Sequence, residues 1–432
     1  MILALVVSAS ALTLDEAWAR TREHSEEATM VLEAQRQSHV IRTQAWATLS
    51  PKVSVQGNWT LNEREVTMDF GSSFPPSVLD MIEQFTGEPV DFGDPLIIQK
   101  KSFFDASVTV AQPLFNARAF PGVAGANAMA RAGDAQAEQG LSQLQVGVAS
   151  AYWGVLLSRD AEALATDALE LAKKHAATAH SLVTAGQATH QAELQAEIAV
   201  ARAERDVLGA KSRRTRAELA FGELVGVPAD GSMARPGSRS LPFTDPDAAF
   251  STAEAHRPAL VAAREQLKAA QAQKTASVLA WLPTVDGRFT EAWTQNEGFS
   301  GEPNTWILGV NASWTLWDGG YRLADNEKLA SQLHQADAAV AKAEGDARVE
   351  VYGAWDELAR ARSAALAAGH ELELAEENLR IAEASFKAGA SAVLDLEDAR
   401  LGRDSAKLAV LGEQMNTDLA TLTLLAAVGD LE

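Results

Sequence analysis

Two groups of residues in this chain have side chains capable of chemistry and lie close together in sequence: His175, His180 and His190, and the acidic trio Asp395, Glu397 and Asp398. Imidazoles bind metals or move protons near neutral pH, and clustered carboxylates hold hard cations. Helical neighbours lie three or four residues apart. The histidine spacings of five and ten therefore do not stack them on one face, and exposed histidines account for them better than a metal site. The acidic trio sits where a helix would begin, and a helix N-terminus favours acidic side chains without any ligand. The sequence contains no Gly-x-Gly-x-x-Gly, phosphate loop, His-Glu-x-x-His or Gly-x-Ser-x-Gly. With no cysteine, disulfides, thiolate catalysis and Cys-ligated metals are excluded. The expectation is a protein that is not an enzyme and holds no metal or cofactor.

The elements that position these residues occur twice. Thr184-Ala185-Gly186 opens a helical run closing on Leu224-Val225-Gly226, and Lys387-Ala388-Gly389 opens one closing on Ala427-Val428-Gly429, an offset of 203. Glu23-His24 leads to Ser50-Pro51-Lys52-Val53 as Ala255-His256 leads to Leu282-Pro283-Thr284-Val285, an offset of 232. Pro113-Leu114-Phe115-Asn116 faces Thr315-Leu316-Trp317-Asp318 at an offset of 202. A period near 200 is too long for a solenoid and reads as two homologous halves. The change from 232 to 202 places about 30 extra residues between Pro51 and Leu114, and Pro75-Pro76, Pro89 and Pro95 make the segment of about 63–102 read as a long external loop. The expected organisation is a signal peptide at 1–11, a first repeat at 12–227, a linking segment at 228–246 and a second repeat at 247–432. The signal peptide rests on the uncharged run from Met1 to Leu14 and the small-x-small site Ala9-Ser10-Ala11.

Composition narrows the class. The 432 residues carry a net charge of -21, which opposes nucleic-acid binding. The one basic run, Lys211 to Arg216, reads as a solvated helix face. Hydrophobic residues make up 47% but aromatics only 6%, so the apolar content is largely Ala, Leu and Val, suited to closely packed helices. Proline is absent between Pro121 and Pro228 and after Pro303, which leaves room for helices over about 117–183 and 319–386. Each would be roughly 100 Å long at 1.5 Å per residue, against ~11–12 residues for an average helix, and so demands a bundle. Gly186 and Gly389 are placed to end these helices in left-handed turns, with Thr189 and Ser391 capping the returning helices. Asn116 and Asp318 are placed to cap the long helices, and Pro121 to kink the first. Gln139–Ser158 lacks charge, but its glutamines and serines favour burial in a bundle over lipid.

Four segments alternate with period two and read as strands, about 52–63, 102–115, 284–295 and 304–317. Alternation assigns Val55, Trp59, Val108, Val110, Leu308, Val310 and Trp314 to one lipid-facing set. Such lengths suit tilted membrane strands. Open strand edges are not tolerated in lipid, and barrels start at ~8 strands, so four strands require several copies. A conducting pore favours twelve strands or more over eight.

In the order of its paired halves, the chain resembles the TolC-type outer membrane efflux proteins along essentially its whole length. The resemblance is carried by Ser50-Pro51-x-Val53 and Leu282-Pro283-x-Val285, by Gln112-Pro113-Leu114-Phe115-Asn116 and Leu316-Trp317-Asp318-Gly319-Gly320, and by the segment from Phe386 to Ala399. It implies a mainly α fold with β: long antiparallel helical hairpins forming an α-barrel, plus four strands per protomer in a trimeric 12-stranded β-barrel. It also implies a homotrimer in the outer membrane of a Gram-negative bacterium with a long periplasmic extension. This would be a passive exit duct for efflux or type I secretion, coupled through a periplasmic adaptor to an inner-membrane pump or ABC transporter. The tips that meet the adaptor would comprise Gly186, Gln187, Thr189, Gly389, Ala390 and Ser391. Asp395 would line a pore constriction or simply cap its helix. The acidic position of the first tip is Ala192, which leaves open whether Gln191 or Glu193 substitutes. The other reading is a periplasmic or surface-attached coiled-coil protein without a pore.

Overall fold

The computed structural model describes residues 11–69, 74–88, 94–229, 231–237, 239–297, 301–388, 390–391 and 393–431. The signal-peptide expectation and Gly389 fall, but for Ala11, outside the described residues. The elements in chain order are α1 Leu14–His24, α2 Glu26–Ala47, β1 Lys52–Leu61, β2 Val66–Met68, α3 Pro76–Thr86, β3 Leu96–Gln99, β4 Ser102–Phe115 and α4 Ala119–Thr184. They continue with α5 His190–Val225, α6 Pro246–His256, α7 Pro258–Leu279, β5 Thr284–Thr294, β6 Asn304–Ser313, α8 Tyr321–Lys387 and α9 Val393–Val428. The chain forms two compact units, each drawing on both sequence halves. One is built within Met1–His39, Ala128–Leu267 and Gln335–Glu432, the other within Val40–Asn127 and Lys268–His334.

The first unit is helical. One core gathers Phe243, Phe250, Leu260, Val351, Leu358 and Leu424 from the segment before α6 and from α6, α7, α8 and α9. The other gathers Leu14, Val148, Tyr152, Val155, Phe221 and Leu422 from α1, α4, α5 and α9. The two echoes in the sequence have a common cause here. Gly226, at φ +76°, lies so close to the α1–α2 break that a Cβ would stand 2.5 Å from His24 O. Gly429, at φ +83°, leaves a Cβ only 2.8 Å from Arg257 Cα at the α6–α7 break. Each half thus ends in a left-handed glycine seated on the helix break of the same half, a place that tolerates no side chain. The buried Tyr152 hydroxyl donates towards Leu12 O at 2.6 Å and Ala234 O at 2.5 Å, tying the N-terminal segment and the inter-repeat segment to α4. Burial raises its pKa to about 12. Trp153 Nε1 donates to Asp418 Oδ2 at 2.7 Å, joining α4 to α9. Burial pushes the Asp418 carboxyl upward, and the indole hydrogen bond opposes it.

The second unit holds an antiparallel sheet of order β1-β4-β5-β6, with β1 and β6 at its edges. The turn from β6 into α8 uses Gly319 at φ +71° and Gly320 at φ +91°. Asp318 Oδ2 accepts from Arg322 N at 3.2 Å and Arg322 Nε at 2.6 Å, so the expected cap is present. Arg322 also donates to Ala280 O and Thr315 O and stacks 4.1 Å over the Trp281 ring, fastening the end of α7 to this turn.

Several expectations are corrected. Asn116 does not cap α4 with its side chain: its Oδ1 has no hydrogen-bond partner, and Ala119 N bonds to the Asn116 carbonyl instead. Ser391 Oγ likewise accepts no hydrogen bond, because α9 starts two residues later at Val393. Pro121 falls within α4, which runs from Ala119 to Thr184. It lies in the first turn, where an amide N–H has no helical partner to lose. The insertion, expected as a loop, holds secondary structure: β2 pairs with β3, with α3 between them.

Candidate functional site

The sheet presents two chemically different faces. Directly paired residues share a face, and register aligns Val55 with Val108, Val53 with Val110, Val110 with Phe289 and Phe289 with Leu308. Val310 pairs with Gly287 two residues along and so joins the same face. Val55, Trp59, Val108, Val110, Leu308 and Val310 therefore lie on one apolar face, and Val55 and Val310 are 77% and 70% exposed. Trp314 stands one residue beyond β6, where its indole donates to Trp281 O at 3.0 Å. Glu291, opposite Val108 and Trp306, is the charged exception on this face. The other face carries Ser54, Gln56, Asn58, Ser107, Thr109, Thr290 and Asn311.

Aromatic residues band the apolar face at both ends. Trp59, Phe104, Trp293 and Trp306 cluster toward the β1–β4 and β5–β6 connections, with Phe104 and Trp293 ring centroids 6.2 Å apart. Phe115, Trp281, Trp314 and Trp317 stand at the ends joined to helices. From Trp306 to Trp314 is eight residues, about 26 Å along a strand. A tilt of ~40° leaves roughly 20 Å of that along the membrane normal, somewhat less than the ~25 Å apolar band of an outer-membrane barrel, with the aromatic residues inside its limits.

The first hairpin turn belongs to the helical unit. Gly186 is left-handed at φ +70°. Gln187 N bonds to Leu182 O at 2.8 Å and Gly186 N to Val183 O at 3.0 Å, the paired bonds of a Schellman cap. Thr189 caps α5 by accepting from Ala192 N. Two of the three histidines meet on one carboxylate across this turn: Glu193 Oε1 lies 2.6 Å from His180 Nδ1, and Oε2 lies 3.0 Å from His190 Nδ1. The hydrogen bond from His180, then that from His190, lowers the Glu193 pKa. Sequence spacing could not show this, because the pairing spans a turn rather than one helix face. In the second hairpin the position equivalent to His180 is Glu383, which pairs with Arg400 at 3.2 Å. His175 stands apart, its Nε2 without a hydrogen-bond partner. Burial lowers its pKa, the Glu397 carboxylate opposes this and Arg400 adds to it. Asp395 is exposed in the first turn of α9. Among the described residues no group of His, Asp and Glu is arranged to hold a metal ion. No described helix is long and apolar enough to cross a membrane. The Lys211–Arg216 run is a largely solvated face of α5, with Arg214 paired to Glu162 at 2.9 Å.

Residues 42–227 and 249–430 match the sequence profile of the outer membrane efflux proteins. The chain belongs to that family. Among its relatives is the outer membrane efflux protein BepC of Brucella suis, 25% identical over 284 residues, 65% of this chain and 62% of BepC. Protein CyaE of Bordetella pertussis is 30% identical over 194 residues, 41% of each chain. These alignments span about three fifths of one relative and two fifths of the other. The fold is similar to the CmeC outer membrane channel of Campylobacter jejuni, with a TM-score of 0.76 at 13% identity, covering 100% of this chain and 91% of that one. This efflux protein is an outer-membrane protein with the channel fold: long helical hairpins and a four-stranded antiparallel contribution to a barrel.

Proposed function

We propose that this efflux protein is the passive exit duct of a tripartite export system. Three copies supply twelve strands and close a barrel, and the helical hairpins continue the conduit into the periplasm. An adaptor meets the hairpin tips at Gly186, Gln187, Thr189, Gly389, Ala390 and Ser391 and couples the duct to an inner-membrane pump or ABC transporter. Three copies of Asp395 ring the narrow end. The observation that carries the reading is the sheet itself. One face is apolar and exposed, the other polar, aromatic residues mark both limits, and the outer edges of β1 and β6 pair with no other described strand. Lipid accepts such a sheet only when it is closed, and twelve strands leave a lumen that eight do not. A coiled-coil protein without a pore gives no reason for that exposed apolar face.

The test is fractionation and complementation. Outer-membrane fractions should contain a heat-modifiable trimer, and the gene should restore export to a strain lacking its duct. A monomer released from membranes by alkaline carbonate would sink the proposal.

A further inference from the structure

The helix inside the long insertion has an apolar stripe that the described residues of its own chain cover only in part: Val78 and Ile82 are half-buried, while Met81 and Phe85 stand exposed. In α3, Val78, Met81, Ile82 and Phe85 follow the i, i+3, i+4, i+7 spacing of one helix face. No residue of α3 is buried, and Phe85 is 93% exposed. The base of the excursion is fixed. Asn62 N and Nδ2 bond to Lys101 O and Lys100 O, and Lys100 N bonds to Asn296 Oδ1 of the β5–β6 connection. A helix held on a fixed base with Met81 and Phe85 left exposed on its apolar face has room there for a partner.

The sheet points to that partner. Its polar face carries one large exposed aliphatic residue, Ile307, which is 68% exposed. Ile307 lies on the edge strand β6, near the end joined to the β5–β6 connection. The excursion holding α3 grows from the other edge strand, β1, at the same end of the sheet. When copies close a barrel, β1 of one joins β6 of the next, which brings the root of α3 beside the neighbour's Ile307. The charge of α3 argues against lipid: it carries Asp80 and Glu83 and no Lys or Arg, whereas helices lying on membrane surfaces are rich in basic residues.

We propose that α3 is a strap between copies, its Val78–Met81–Ile82–Phe85 face packing on the partner subunit's Ile307 over the outer mouth of the duct. This rests on the trimeric-duct reading. Each protomer covers its neighbour, and three straps narrow the mouth together. The insertion thereby acts in assembly and in restricting entry from outside.

The chain has no cysteine, so introduced cysteines report without background. The double variants Met81→Cys/Ile307→Cys and Phe85→Cys/Ile307→Cys, oxidised in outer-membrane fractions, should run as covalent dimers and trimers that reductant collapses. Each single-cysteine variant should stay monomeric on the boiled gel. In addition, Phe85→Cys alone should react at least tenfold more slowly with a water-soluble maleimide in intact trimers than after denaturation. Unboiled samples separate the two readings. If trimers form but both double variants give only monomers, or disulfides within one chain, the strap is wrong and the duct stands. Fast labelling of Phe85→Cys in trimers also overturns the strap. If no trimer forms even in the parent chain, the duct reading itself has failed.

Discussion

An arginine at Val310 tests the membrane sheet where its cost should be greatest. Val310 lies four residues from Trp306 and four from Trp314, midway between the aromatic bands, on the apolar face and pointing away from its own chain. An arginine on the lipid face of a barrel costs ~2–4 kcal/mol at the bilayer midplane and ~0–1 near its surfaces. At about 1.4 kcal/mol per factor of ten, that is ~30- to ~1,000-fold per copy. Three copies sum to roughly 6–12 kcal/mol per trimer, comparable to the whole stability of many domains. Asn311→Arg is the matched control, since the next residue on the strand faces the polar side. Heat-modifiable trimer in outer-membrane fractions should fall steeply for Val310→Arg and for Val108→Arg, and change little for Asn311→Arg. Equal trimer levels in all three would refute the assignment of this face to lipid.

Three further outcomes are expected. Gly186→Val places a β-branched side chain at φ +70°, strained by at least ~1 kcal/mol; export should fail while trimer levels hold, and wild-type export would remove the first tip from the mechanism. Tyr152→Phe deletes the hydroxyl shared by Leu12 O and Ala234 O, costing ~0.5–1.5 kcal/mol and speeding hydrogen exchange in the 231–234 segment. Because the folded Tyr152 pKa is raised to about 12 from 10, its contribution is complete below pH ~10 and is lost as pH rises towards 12; the phenylalanine variant should lack that alkaline component, and an identical alkaline profile would count against it. Asp395→Asn should lower cation preference and weaken block by multivalent cations in planar bilayers, whereas unchanged conductance behaviour would leave Asp395 as a helix-start residue alone.

The strands, the long helices and the doubling were legible because each rests on a local or repeated signal. Proline-free runs bounded the helices, and β1, β4, β5 and β6 begin at or within a residue of their expected starts. Period-two alternation predicted which residues share a face, and register reproduced it for Val55, Val108, Val110, Leu308 and Val310. Contacts made across turns and between distant segments were not legible. Glu193 gathers His180 and His190 from two helices, and Gly226 is required by His24, two hundred residues away. The glycine pair at 319–320 is visible as a motif, but its left-handed turn and the role of Arg322 arise from contacts between α7 and the start of α8 that no local pattern encodes. Ser391 and Asn116 failed as caps because a suitable residue type does not fix where the helix begins. The order within the insertion was missed because α3 is short and flanked by prolines, which read as loop.

The two unpaired edges of the sheet also set a timetable. A single copy crossing the periplasm exposes unsatisfied backbone along β1 and β6 and an apolar face beside it, features that invite pairing with whatever strand arrives first. On the proposed trimer, closing the sheet takes successive encounters between copies rather than one folding event. The yield of finished duct should therefore rise more steeply than linearly with the supply of protomers, and escort by a strand-shielding chaperone should matter most when supply is low. Overproduction of a β1 or β6 peptide would act as a chain terminator for the ring.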